Sequence, residues 1–205
     1  MQNKPPMTQI PPLLKLPVFR GLKLWVVLFF LCFLVQFLQL EAWFRFDRQL
    51  IEQWQLWRLL SGHLTHLGWN HFLLNMSGVL MVGVFFAGYQ SVRYWLGALL
   101  FIALACSAGL MLDGQLDRYV GLSGVLHGLF IIGGRWELKH HKVSGVVLLV
   151  LIVGKVIWEQ LYGPLPGSES AAGGKVAINA HLYGALAGAV YLFIREKILF
   201  VRRGV

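Results

Sequence analysis

The sequence has few charged residues, and this restricts its class more than any other feature. Asp, Glu, Lys and Arg together form 13% of the 205 residues, whereas hydrophobic residues form 57%. A typical soluble domain carries about 25% charged residues, and the mean hydropathy here is +0.64. The composition excludes an ordinary soluble domain and is typical of a membrane protein with several spans.

Cysteine is also scarce, with Cys32 and Cys106 the two in the sequence. Both fall inside apolar stretches, where a thiol usually packs as a small hydrophobic side chain, so we favour packing over a redox role. His63, His66 and His71 lie near one another, but no carboxylate or thiol completes a ligand set. We therefore expect neither a metal nor another cofactor.

Acidic residues are half as numerous as basic ones, and the formal net charge is +9. Such an excess can indicate nucleic acid binding, but the basic residues gather in alternate connections between apolar stretches rather than along one helix face. This distribution follows the positive-inside rule and predicts that both termini are cytoplasmic, with no nucleic acid partner. The basic residues on the predicted cytoplasmic side are Lys4, Lys15, Arg20, Lys23, Arg93, Arg135, Lys139, Lys142, Arg195, Lys197, Arg202 and Arg203.

Six apolar stretches are wide enough, or nearly so, to cross a bilayer, for which about 20 residues are needed. After the first stretch, residues 39–43 read QLEAW, which lacks the small-x-small pattern of a signal-peptide cleavage site, so we expect that stretch to remain as a span. We predict one six-helix domain over 21–198, between a cytoplasmic tail at 1–20 and a short basic tail at 199–205. The stretches run roughly from Leu22 to Leu40, Phe72 to Gly88, Tyr94 to Leu112, Ser123 to Trp136, Val143 to Tyr162 and Ile178 to Ile194.

Two connections differ in composition. The connection from Glu41 to Asn70 mixes Trp and Phe with charged residues, and such a segment is expected in the headgroup region. The connection from Gly163 to Lys175 is rich in Gly, Pro and Ser. That composition gives it little reason to hold one conformation, so it is the natural candidate for a mobile gate.

Three polar residues share one predicted depth. Ser123 and His181 lie 12 and 14 residues before Arg135 and Arg195, the basic residues that mark the ends of their stretches. At 1.5 Å per residue these spacings are about 18 and 21 Å. Asn75 lies 14 residues before Tyr89 and is at the same level. Since the hydrocarbon core is about 30 Å thick, all three would lie roughly 10 Å below the outer surface.

Polar side chains at this depth usually face a bundle interior or a wet cavity. A serine there needs a base, which His181 would supply, and oxyanion donors, for which His71 and Asn75 lie one turn apart on one face. The sequence places no carboxylate at that depth to orient His181, so we expect a Ser-His dyad. Taken alone, Ser123 is more simply explained as a small packing residue.

Other polar and small residues have structural explanations as well. His71 and Asn75 would also suit an interhelical polar clamp. Gly184 and Gly188 form a small-xxx-small pattern that reports close helix contact, and contact with the fourth helix is what would bring the histidine to the serine. Lys155 and Glu159 are four residues apart and can pair on one face. We favour a structural pair, or a contact to the gate or substrate, over ion movement.

Four short motifs follow one another along the chain. They are Trp57-Arg58 followed by His66, His71-x-x-x-Asn75, Gly121-x-Ser123-Gly124, and Ala180-His181-x-x-Gly184-x-x-x-Gly188. Their order and spacing resemble the rhomboid intramembrane serine proteases. The resemblance implies an all-α six-transmembrane-helix bundle with a membrane-embedded first loop and a short central fourth helix that bears the serine. It also implies that residues 113–122 dip into the membrane to deliver that serine.

The resemblance also implies residue roles. Ser123 would be the nucleophile and His181 the general base and then acid, while Asn75 and His71 would donate to the oxyanion together with the serine amide. Arg58 would help to hold the first loop. The implied substrates are single-span membrane proteins with small residues near the scissile bond, because glycine lowers the cost of unwinding a helix.

One position departs from many rhomboids, in which the residue four after the serine is a tyrosine that packs on the catalytic histidine. Here it is His127, which lies on the same helical face as Ser123 and could hydrogen-bond to or stack on His181, or simply fill space. The string from Gly121 to Gly128, in a short six-helix chain, resembles the rhombosortase branch. That branch implies removal of C-terminal Gly-Gly, transmembrane and basic sorting tails at the periplasmic side of the bacterial inner membrane.

Three other functions stay open. A general housekeeping rhomboid that cuts unstable membrane helices is the alternative within the protease interpretation. A non-catalytic rhomboid-like binding protein is disfavoured because Ser123, His181 and Asn75 are all present. A transporter is disfavoured because inverted repeats with broken helices are absent from the sequence.

Overall fold

Six long helices make up most of the described part of the chain. The computed structural model describes residues 17–202, with side chains over 21–198; the remaining residues of the two predicted tails, 1–16 and 203–205, lie outside it. The first helix begins at Pro17, inside the predicted tail. The long helices are α1 (Pro17–Phe37), α5 (Trp69–Phe86), α6 (Val92–Asp113), α7 (Ser123–His140), α8 (Lys142–Tyr162) and α10 (Ile178–Arg202).

The protein is a membrane protein by the length and hydropathy of its helices. Over the described residues, three helices are long and apolar enough to cross a bilayer unaided, namely Trp69–Tyr89, Val92–Asp113 and Lys142–Tyr162, and Gly21–Phe37 is a shorter apolar helix. Helices α7 and α10 end in charged residues, which lowers their average hydropathy. Each long helix overlaps one predicted stretch, while the number of spans stays a prediction.

The connection between α1 and α5 is well structured. It contains the short helices α2 (Glu41–Phe44), α3 (Arg48–Glu52) and α4 (Arg58–Ser61), a 3-10 turn at Gly62–Leu64 and the two-residue strand β1 (Phe46–Asp47). Strand β1 pairs antiparallel with β2 (Arg118–Tyr119), which lies just before the serine helix α7. The pairing joins the first loop to the segment that leads into α7.

Helix α7 lies at the centre of the bundle, between α8 and α10, with α5 and α6 also against it. Its closest approach is to α10, where a Cβ on Gly184 would collide with the carbonyl oxygen of Gly124, and one on Gly188 with that of Gly128. The contacts are in register, so α7 and α10 run parallel. This is the approach that the small-residue pattern predicts.

The connection between α8 and α10, the candidate mobile gate, contains local structure. It contains the short helix α9 (Ser168–Ala172), and left-handed Gly167 and Gly173 stand at its two ends. A Cβ on Gly174 would lie 2.7 Å from Cδ1 of Leu67, so the loop also approaches the connection before α5. The positive φ angles of Gly167 and Gly173 form the turns at the two ends of α9, and movement of this connection stays a prediction.

Candidate active site

The backbone before Ser123 is fixed by the first loop. Gly121 has φ +119°, a backbone conformation that residues other than glycine rarely adopt. Its amide donates to the Gly62 carbonyl at 3.2 Å, and its carbonyl accepts from the Tyr119 hydroxyl at 2.6 Å. The turn therefore delivers Ser123 as the first residue of α7, where backbone amides have no partner inside the helix.

The structure brings Ser123 and His181 together. The Ser123 Oγ lies 2.9 Å from Nε2 of His181, which is within hydrogen-bond distance. The two residues are 58 positions apart in the sequence and come from α7 and α10. His181 is 5% exposed. A serine hydroxyl and a buried imidazole in this arrangement can act as nucleophile and base.

A carboxylate completes the set, and the expectation that none is placed to orient His181 is wrong. Oε2 of Glu159 lies 2.7 Å from Nδ1 of His181, the nitrogen that faces away from the serine. Glu159 is 1% exposed and comes from α8. The sequence did point to its pairing with Lys155, and that pair forms, with 2.6 Å between Nζ and Oε1.

Lys155 also contacts His127. A single cluster is thus formed by Lys155, Glu159, His181 and His127. The Lys155 Nζ lies 3.0 Å from Nε2 of His127 and 3.3 Å from Nδ1 of His181. Nδ1 of His127 lies 2.7 Å from the Ser123 carbonyl oxygen. The His127 and His181 rings are stacked, with 4.0 Å between centroids and 15° between planes. His127 thus both stacks and hydrogen-bonds, although its bonds go to Lys155 and Ser123 rather than to His181.

The same cluster has the donor types of a metal site. The imidazoles of His127 and His181 and the carboxylate of Glu159 offer ligand atoms within 4.8 Å of one another. However, the Lys155 ammonium lies 2.6 to 3.3 Å from an atom of each of the three residues. A cationic group already lies among these ligand atoms, and the donor set fits an internal ion-pair network.

His71 and Asn75 lie beside the serine turn. A Cβ on Gly121 would be 2.6 Å from Cε1 of His71, so the imidazole rests directly over this glycine. The Asn75 amide donates back to the His71 carbonyl at 3.0 Å. Three residues further along each helix, Gly78 faces Leu126 of α7, and this register places Asn75 level with Ser123.

Arg58 is buried at the centre of the first loop. It is 3% exposed, and its Nη1 donates to the carbonyls of Ala42 and Arg45 at 3.2 and 2.8 Å. Its Nε donates to the Gln55 side chain at 2.8 Å. These bonds span the loop from α2 to α4, which is the contact pattern of a residue that holds the loop together.

Sequence reasoning missed Tyr119 and the contact of Glu159 with His181. Nothing in the local pattern marks Tyr119, whose hydroxyl acts through the backbone of Gly121. Glu159 carried a signal, because an ionisable residue inside a predicted span is a candidate functional group. Because Lys155, four residues away, already explained Glu159 as half of an ion pair, the longer-range contact with His181 was not predicted.

Comparison with known proteins identifies the family. The family model for the rhomboid domain matches residues 53–197, well over half of the chain. The chain belongs to the rhomboid family. Rhomboid proteins are generally intramembrane serine proteases, and the serine and histidine described above lie inside the matched region.

A curated relative also matches most of this chain. RHOMBOID-like protein 5 of Arabidopsis thaliana is 27% identical to this rhomboid protein in an alignment over 159 residues, which covers 72% of this chain and 47% of the relative. The chain therefore spans about half the length of the curated relative that it matches.

Proposed function

We propose that this rhomboid protein is an intramembrane serine endopeptidase. The observation that carries the proposal is the 2.9 Å contact between Ser123 Oγ and His181 Nε2 inside a bundle of membrane helices. The family match supports it, because the residues of the pair fall within the rhomboid domain. Polar groups buried among apolar helices need partners, and here they have the partners that acyl transfer requires.

The reaction follows from this geometry. Nε2 of His181 takes the hydroxyl proton while Oγ of Ser123 attacks the scissile carbonyl carbon, which gives a tetrahedral oxyanion. The imidazolium then gives the proton to the leaving amine as the peptide bond breaks and an acyl-enzyme ester forms. A water molecule, deprotonated by His181, attacks the ester; the imidazolium then returns the proton to Oγ of Ser123 as the second product leaves with its new carboxyl group.

The oxyanion has three candidate donors. The Ser123 amide opens α7 and has no helical acceptor. Asn75 carries two N–H groups and gives one to the His71 carbonyl, which leaves the other for the oxyanion. The His71 ring lies over Gly121, two residues before the nucleophile. Removal of one such donor lowers kcat by about 10²- to 10³-fold in other serine proteases.

For the substrate, we propose a single-span membrane protein with small residues near the scissile bond, cut at the periplasmic face of a bacterial inner membrane. The string Gly121 to Gly128, with a histidine at 127, supports the rhombosortase branch and hence C-terminal Gly-Gly, transmembrane and basic sorting tails. The contacts of His127 with Ser123 and Lys155 support a role for this position beyond filling space.

The proposal is tested by coexpression with a reporter that carries a C-terminal Gly-Gly, a transmembrane helix and a basic tail. Ser123→Ala and His181→Ala are expected to abolish cleavage, and bulky residues in place of Gly-Gly to reduce it. Matched controls are Ser77→Ala, since Ser77 is exposed and donates to the Leu73 carbonyl of its own helix, and His141→Ala, at the exposed residue that follows α7. Cleavage that survives Ser123→Ala would contradict the mechanism.

A housekeeping protease of unstable membrane helices is the second candidate, supported by the family match alone. It predicts that the Gly-Gly reporter stays intact, whereas a reporter with a destabilised transmembrane helix is cut in a Ser123-dependent way. A non-catalytic binding protein predicts cleavage of neither reporter and no labelling of Ser123 by a fluorophosphonate probe.

A further inference from the structure

Each hydrogen bond around His181 can be given a donor and an acceptor, and the 3.3 Å approach of the Lys155 ammonium to Nδ1 is then a contact between two donors. If Nε2 of His181 accepts from the Ser123 hydroxyl, Nδ1 carries the proton and donates it to Oε2 of Glu159 at 2.7 Å. The Lys155 ammonium then donates to Oε1 of Glu159 and to Nε2 of His127. The second nitrogen of His127 donates to the Ser123 carbonyl. Every ring nitrogen in the cluster therefore has a partner of the opposite kind.

We propose that Glu159 is a positioning residue for the proposed hydrolysis, the third member of a Ser123, His181, Glu159 triad, with Lys155 as its fixed counter-ion. This inference rests on the proposed function. A carboxylate behind the base fixes the imidazole tautomer and ring orientation and stabilises the imidazolium that forms during attack. The distance and the burial of Glu159 are those of such a carboxylate.

Lys155 explains how a carboxylate is tolerated at this place. An ionised carboxylate that is 1% exposed needs pairing to remain charged, and the ammonium at 2.6 Å supplies it. The ammonium also lies 3.3 Å from Nδ1 of His181, where it opposes protonation of the ring. Glu159 is closer and hydrogen-bonded, so its attraction outweighs this repulsion while the carboxylate is present.

Substitution of both charged residues separates this role from packing. In Glu159→Gln the ammonium remains beside His181 without a counter-charge, so the imidazolium is both unsupported and repelled. In the double variant Lys155→Met/Glu159→Gln the repulsion is gone as well. A positioning role therefore predicts that the second substitution partly rescues the first, whereas loss of packing predicts that two substitutions do more harm than one.

The test measures the rate at which a fluorophosphonate probe labels Ser123 in the full chain, purified in detergent. Glu159→Gln is expected to lower the second-order rate constant by up to about 10⁴-fold, the order of the loss in kcat when the third group is removed from other serine proteases. The double variant is expected to react faster than Glu159→Gln alone. Glu52→Gln makes the same chemical change at an exposed carboxylate and is expected to leave the rate unchanged.

A second readout does not depend on activity. The proton shared by Nδ1 of His181 and Glu159 is expected to give a strongly downfield proton NMR signal that disappears in Glu159→Gln and persists in Glu52→Gln and Ser123→Ala. If the signal behaves in this way but the unaltered protein is never labelled, the hydrolase proposal fails while the contact stands.

Either of two results overturns the triad. One is a Glu159→Gln rate within about threefold of the unaltered protein, since that corresponds to less than about 1 kcal/mol. The other is a double variant that reacts more slowly than Glu159→Gln and is also less stable to heat, because loss of packing alone would then explain both results.

Discussion

The imidazole of His127 lies flat against the imidazole of His181, with 4.0 Å between ring centroids. His127 is held in that plane from both edges, by the Lys155 ammonium on one side and the Ser123 carbonyl on the other. The ring therefore supports the face of the proposed base and is itself fixed by groups of the same cluster.

His127→Phe retains an aromatic face under His181 but loses both hydrogen bonds, whereas His127→Leu loses the stack as well. Aromatic pairs contribute about 0.5–1.5 kcal/mol beyond burial, so we expect His127→Leu to be labelled by the fluorophosphonate about twofold to tenfold more slowly than His127→Phe. Equal rates for the two variants would argue against a role for the stack.

Gly184→Ala should destabilise the bundle, because the added Cβ would collide with the Gly124 carbonyl. Overpacking of this kind costs about 1–3 kcal/mol. Gly154→Ala is the matched control, since a Cβ there meets nothing within 4 Å, and in a helix interior it is expected to be neutral or stabilising by up to about 1 kcal/mol. Thermal unfolding in one detergent compares the pair. A Gly184→Ala variant as stable as Gly154→Ala would contradict the close approach.

Gly121→Ala is expected to abolish most of the proposed protease activity, because it would displace the turn that precedes Ser123. The left-handed backbone at φ +119° resists a side chain, and the new Cβ would lie 2.6 Å from Cε1 of His71. A displacement of about 1 Å at a reacting group can cost on the order of 10²-fold in rate.

The control for that change is Gly114→Ala, which also has a positive φ, +67°, but has no atom within 4 Å of the added Cβ. It carries backbone strain of about 1–2 kcal/mol without touching the site. Probe labelling should therefore fall in Gly121→Ala and persist in Gly114→Ala, and a similar loss in both would assign the effect to strain alone.

Arg58→Ala should loosen the first loop, since it removes the donor to the carbonyls of Ala42 and Arg45. Bonds from a charged donor contribute about 1.5–3 kcal/mol each, so the loss is on the order of 3 kcal/mol. Arg118→Ala is the contrast: its side chain is 65% exposed and pairs with Asp47 at 3.2 Å, and such a pair contributes less than about 1 kcal/mol. Hydrogen exchange of the amides over 41–64 should rise strongly only in Arg58→Ala.

The sequence predicted the helices and the serine-histidine pair for identifiable reasons. Long apolar runs indicate helices that are buried or face lipid. Because the rise per helical residue is constant, the number of residues from Ser123 to Arg135 and from His181 to Arg195 predicts the relative depth of the serine and the histidine. The glycines at 184 and 188 predicted which helix approaches α7. All of these are properties of single segments, which is why they can be obtained without knowing how the segments pack.

The contact of Glu159 with His181 depends on how α8 packs against α10, so it could not be predicted from either segment alone. From Lys142 to Glu159 is 17 residues, or about 26 Å, a few ångströms beyond the level of His181. Helical side chains lean toward the N-terminus of their own helix. Since α8 runs antiparallel to α10, the two side chains lean toward each other and the offset closes. A depth counted from the helical rise describes Cα positions and takes no account of the direction in which the side chains lean.

The antiparallel pair of Phe46 with Tyr119 and Asp47 with Arg118 has a consequence for chimeras between family members. The first loop and the nucleophile turn share one backbone ladder, and the buried Phe46 and Tyr119 belong to one apolar cluster. A first loop transplanted alone from a homologue would have to pair with this protein's β2, although its own β1 is matched to a different strand. We therefore expect a chimera to keep the serine within reach of the histidine when the loop is exchanged together with residues 118–121.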